Sequence, residues 1–141
     1  MKQEINWIIH LVANVAYDNC GKMESHFLPY LCNAHTHGME QYGHPDFQLV
    51  LFLPQAEIGR ILNTLGLRVQ SGERFHAGDM ISGIYADCDI RLDEYEETGR
   101  KVLRVIIPDK YNVFPEDERC MAPYNLQLLD TEALCVGGLS S

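Results

Sequence analysis

Pro45-Asp46-Phe47-Gln48-Leu49-Val50-Leu51-Phe52-Leu53-Pro54 is the stretch on which the fold turns. The apolar run 47–53 lies between two prolines, which suits a well-buried strand: proline marks an element boundary, and a nearly unbroken apolar run has both faces covered. Pro54 then opens a helix from residue 54 or 55 to 65, with Ile58, Ile61, Leu62 and Leu65 on one helical face and Gly66 where a left-handed closing residue belongs. A buried strand leading straight into an amphipathic helix seeds a core of mixed α and β structure.

Toward the N-terminus, residues 31–36 read as a short strand running into Gly38 and lying beside the first one near the centre of a sheet. Further back, Ile5, Ile8, Ile9, Val12 and Ala16 follow the helical period and predict a first helix stopped at Gly21, with a strand as the rival reading because so many of these residues are β-branched. Toward the C-terminus the pattern becomes that of strands. Residues 67–70, a Ser71-Gly72 turn, residues 80–85 and the alternation Ile90-Arg91-Leu92-Asp93 predict a hairpin. Thr98-Gly99 links the next strand, 101–107, antiparallel through a loop of about four to six residues. Pro108 ends that strand, 109–124 is a long ordered loop, 126–129 a last strand and 136–141 a frayed tail. The expected fold is a single α+β domain over residues 1–141, with a mixed, mostly antiparallel sheet of five to seven strands and two main helices.

Composition narrows the function classes. Apolar residues make up 46% and charged residues 22% of the 141, which is the balance of a globular protein and not of a disordered one. Eleven Lys and Arg face twenty Asp and Glu, a net charge of −9, so the averaged field repels phosphate backbones and anionic lipid. Neither nucleic acid nor membrane is an expected partner. The acidic stretches Asp87 to Glu97 and Glu116 to Glu118 read as solvated turns or edges. Five cysteines without CxxC spacing, and an N-terminus without a secretory pattern, predict reduced thiols in a cytoplasmic protein. The longest apolar stretches, 7–16 and 102–107, fall short of the ~20 residues of a spanning helix.

The sharpest chemical pattern is His35-Thr36-His37 with His44 seven residues on. Residues two apart in a strand point to the same face, so His35 and His37 can reach one ion, and Gly38 with Gly43 could turn the chain to return His44. Three imidazoles suit Zn²⁺ or another divalent transition metal and leave a position for water, the arrangement of a catalytic site. The competing reading is structural: His37 hydrogen-bonded in a loop, His44 capping a turn, His35 partly exposed. Cys32 faces away from His35 and His37 in a regular strand and reads as a small buried hydrophobe. Asp79, in the turn 75–79, reads as a backbone acceptor for a residue two positions on. Arg91 and Arg104 are expected to meet Asp89, Asp93 or Glu94 across the hairpin. No phosphate loop or serine elbow occurs.

Asn33-Ala34-His35-Thr36-His37-Gly38-Met39-Glu40, followed by Tyr42-Gly43-His44-Pro45-Asp46-Phe47, resembles the bacterial domain-of-unknown-function family 4262 (DUF4262). Matching positions are Thr36, Gly38 and Met39, then Pro45 and Asp46, then Gly72, Gly78 and Gly83, and finally Gln127 and Asp130, over roughly residues 31–130. The resemblance implies that family's fold and a bacterial cytosolic origin, and brings no established reaction. His35 and His37 replace the family's usual aromatic and aliphatic residues around the Thr, so a role for them belongs to a subgroup. Two functional expectations follow. One is a small binding or interaction domain with its surface around residues 35–46, acting as a homodimer or on a protein or small-molecule partner. The other is a metal-dependent hydrolase holding its ion on His35, His37 and His44.

Overall fold

The structure is a computed structural model that describes residues 4–13, 27–97 and 99–134. It is α+β: one mixed sheet of six strands and one long helix. The strands are β1 (Ile8–Val12), β2 (Leu31–His37), β3 (Asp46–Leu51), β4 (Met80–Ile81), β5 (Ile90–Glu97) and β6 (Arg100–Ile106), and the helix α1 is Gln55–Gln70. Their spatial order is β1-β2-β3-β6-β5-β4. β3 and β6 run parallel, as the crossover through α1 allows, and the other neighbouring pairs are antiparallel.

Two expected elements are corrected. The segment around residue 8 is a strand, not a first helix: Ile8 to Val12 pair residue for residue with His37 to Asn33 of β2. The period that imitates a helix in the sequence becomes a two-residue alternation once the ladder forms, and the β-branched residues favour it. One main helix therefore stands where two were expected, and the proposed stop at Gly21 lies outside the described residues. The surviving helix does not close at Gly66 but runs one turn further, through the expected strand 67–70, to a cap at Ser71. Gly66 is small for a packing reason, because a Cβ there would lie 2.5 Å from the Trp7 indole.

The remaining differences are shorter. The β5–β6 hairpin turns on two residues, with Gly99 at φ 85°, and β4 is only two residues long. Residues 126–129 form no strand. Instead the buried Gln127 side chain imitates one, accepting from the Ile107 N–H at 2.8 Å and donating to the Ile107 carbonyl at 2.6 Å. The expected frayed tail lies outside the described residues.

Cross-strand partners share a face, so the register separates two sides of the sheet. Ala34, Phe47, Leu49, Leu92, Leu103 and Val105 form the apolar core with α1. The other face is polar. His10, His35, Gln48, Arg104 and Asp93 follow one another across β1, β2, β3, β6 and β5. The segment carrying Gln127, Leu129 and Thr131 lies over part of this face, with the Gln127 and Leu129 carbonyls accepting from Arg104. Among the described residues, every buried side-chain nitrogen and oxygen has a hydrogen-bond partner.

The Thr-x-Gly-apolar and Pro-acid motifs meet at one carboxylate. Asp46, 3% exposed, accepts from the Thr36 hydroxyl at 2.8 Å, the Met39 N–H at 3.0 Å and Arg100 at 2.6 Å. The Thr36 hydroxyl in turn accepts from the Phe47 N–H at 3.0 Å. Gly38, at φ 128°, has no room for a side chain, since a Cβ would meet that of Trp7 at 2.9 Å.

Candidate functional site

At the β1–β2 edge of the polar face the pairing sets His10 directly opposite His35, and the pleat places His37 on the same side. The ring of His37 lies 4.5 Å from that of His10 and 4.8 Å from that of His35, centroid to centroid. The Nε2 atoms of His35 and His37 are 3.1 Å apart. Among the described residues, this is where three ligand atoms of His, Cys, Asp or Glu come together, all within 4.8 Å of one another. Ligands at the usual Zn–N bond length around a tetrahedral ion are about 3.4 Å apart. His35 and His37 already stand near that spacing, and a ring nitrogen of exposed His10 lies within 4.8 Å of both.

Burial is the first cause that lowers the pKa of both His35 and His37, and the Arg100 guanidinium and neighbouring imidazoles push in the same direction. Glu97 opposes this at His35, and Asp46 and Glu40 at His37. The outcome favours neutral imidazole, the form that ligates metals.

His44 does not join this group. Gly43, at φ 68°, turns the chain so that the His44 ring packs beside Phe47 and Phe75. Its Nδ1–H donates to the Pro45 carbonyl at 2.8 Å, and its Nε2 accepts from the Phe75 N–H at 3.0 Å. Both ring nitrogens are engaged, and none of its lone pairs is left for an ion. His10, twenty-five positions before His35, is the residue that sequence reasoning missed. Reading β1 as a strand would have exposed it, since His10 then faces the same way as Ile8 and Val12.

The other candidates resolve as structural. Cys32 is buried on the face opposite His35, and burial pushes its thiol up to about 12, so it supplies no thiolate. Asp79 accepts from the His76 N–H, three residues back and not two on. Arg91 pairs with Asp93 on its own strand and with Glu116, while Arg104 meets an amide, carbonyls and the Tyr95 ring in place of the expected acid. The described cysteines Cys32, Cys88 and Cys120 are free thiols. A cavity of about 240 Å³ lined by Leu53, Tyr85, Cys88, Pro108, Lys110 and Tyr124 lies elsewhere.

Fold and site together define a small α+β protein with an imidazole triad at one edge of the polar face of its sheet. Comparisons with protein-family models, curated proteins and solved structures found no match. Among the described residues no helix is long and apolar enough to cross a membrane.

Proposed function

We propose that this protein binds a divalent transition metal of the Zn²⁺ class through His10, His35 and His37. The observation that carries the reading is the convergence of the His35 and His37 Nε2 atoms to 3.1 Å with His10 paired across the strand. All-nitrogen donors favour borderline ions such as Zn²⁺, Ni²⁺ or Co²⁺ over Mg²⁺ or Ca²⁺, which take oxygen ligands. Three protein ligands leave a position for water, so hydrolysis by metal-bound water is the chemistry to look for. His35 and His37 belong also to the surface expected around residues 35–46, whose loop buries Met39, His44 and Asp46 and exposes Glu40, Gln41, Gly43 and Pro45.

Kinship with DUF4262 is part of the same proposal. The short motifs Thr36, Gly38, Met39 and Pro45-Asp46 share one structural task around the Asp46 carboxylate, which supports reading them as a single inherited feature. The histidines lie outside that hub, consistent with a subgroup property.

Elemental analysis of tag-free protein, joined to calorimetric titration with Zn²⁺, tests the reading. One ion per chain is expected, lost in His10→Ala, His35→Ala and His37→Ala and kept in His44→Ala. A wild-type chain that takes up no metal, or a His10→Ala chain that binds as tightly as wild type, would overturn it.

A further inference from the structure

We propose that Asn33 is a positioning residue that locks His35 in one tautomer, with hydrogen on Nδ1 and the Nε2 lone pair always turned toward His37, and that the lock is set from Arg104 through Gln48. It follows from donor and acceptor chemistry alone. Arg104 is buried and offers only donors, so the Gln48 atom that its Nε–H meets at 2.8 Å must be the carbonyl oxygen Oε1. That fixes the Gln48 amide with Nε2 on the far side, where its two hydrogens go to Asn33 Oδ1 at 3.1 Å and to Glu97 Oε2 at 2.8 Å.

Because the atom of Asn33 that meets Gln48 Nε2 is an acceptor, the Asn33 amide is fixed too. Its Nδ2 donates to Glu97 Oε1 at 3.2 Å, and Oδ1 keeps a second lone pair 3.2 Å from His35 Nδ1. A flipped Asn33 would set donor against donor at Gln48. An acceptor at Nδ1 demands the hydrogen there, so His35 Nε2 holds a lone pair and cannot donate to His37 in the neutral state. Asn33 and Gln48 are 8% and 1% exposed, so water does not easily replace these partners.

The purpose of the lock rests on the metal reading: a histidine ligand is held by the partner of its other ring nitrogen, and loss of such a partner typically costs 10–100-fold in metal affinity. The lock itself is a property of the metal-free chain, which keeps the two claims separable.

The test is the ring-nitrogen NMR spectrum of uniformly ¹⁵N-labelled full-length protein without metal, at about pH 8 where ordinary imidazoles are neutral. Wild type is expected to show His35 wholly as the Nδ1–H tautomer, and Asn33→Leu to show a mixture with Nε2–H together with roughly 10–100-fold weaker Zn²⁺ binding. Nε2–H at His35 in wild type overturns the proposal without recourse to any variant, and an Asn33→Leu chain still wholly Nδ1–H overturns Asn33 as its cause. If wild type shows Nδ1–H and binds no Zn²⁺, the lock is upheld and the metal reading falls.

Discussion

The indole of Trp7 fills the space that a side chain at Gly66 would take, 2.5 Å from the position of a Cβ, and its Nε1–H donates to Asn63 Oδ1 at 3.0 Å. This contact pins the residue just before β1 onto α1, and the register that follows carries His10 to its place across from His35. The edge of the sheet that carries the three histidines thus depends on a close approach on the opposite face.

Gly66→Ala tests that contact. Alanine is the better helix former by about 1 kcal/mol, but its Cβ would stand 2.5 Å from Trp7 Cζ2 and overpacking costs about 1–3 kcal/mol. A net loss is expected as a lower urea midpoint. A stabilised variant would mean that the indole moves aside freely.

Asp46→Asn tests the motif hub. The carboxylate accepts at both oxygens from Thr36, Met39 and Arg100, and an amide sets an N–H₂ against one of these donor groups. A loss of about 1–3 kcal/mol is expected from equilibrium unfolding, the cost of an unsatisfied buried donor, because the Arg100 side chain is 32% exposed and keeps part of its solvation. A loss below about 1 kcal/mol would show that Arg100 turns to solvent and that water supplies the missing acceptor.

These two residues also show why the sequence was readable in some places and not in others. β3 and α1 were legible because Pro45 and Pro54 bound them and their apolar spacing is local. β1 was misread because Ile5, Ile8, Ile9 and Val12 keep the helical spacing although the strand sets Ile8 and Val12 on one face and Ile9 on the other, and the choice was made by pairing with β2 and by Trp7, whose partner is fifty-nine positions away. The site divides in the same way. His35 and His37 were legible as neighbours on one strand face. His10 entered through a ladder, and His44 left through a hydrogen bond to Phe75, thirty-one positions on.

His44 gives the chain a pH dependence. Its pKa is lowered chiefly by burial, against the Pro45 carbonyl, which raises it. A group whose folded pKa lies below its unfolded value of about 6.5 binds more protons when unfolded, so its contribution is intact above pH 6.5 and is lost as pH falls through the folded pKa. Its slope is at most about 1.4 kcal/mol per pH unit. His44→Gln removes the titration while an amide oxygen can still accept from Phe75, so its stability should fall less steeply than that of wild type as pH drops below 6.5. Parallel curves in urea would refute this account of His44.

Metal should act on stability with the same sign of pH dependence and a different origin. An ion that binds only the folded chain adds about 2.7 kcal/mol at one hundred times its Kd, which for a chain of 141 residues raises the unfolding midpoint by roughly 5–10 °C. Protons compete for the same imidazole lone pairs, so the gain should be present at pH 7.5 and shrink below about pH 6. EDTA should erase it, and His10→Ala should lack it while matching the metal-free midpoint of wild type, because the His10 ring is exposed and its removal opens no cavity. Scanning calorimetry of both chains with and without Zn²⁺ separates the outcomes. A midpoint that rises equally in His10→Ala would place the ion elsewhere on the protein.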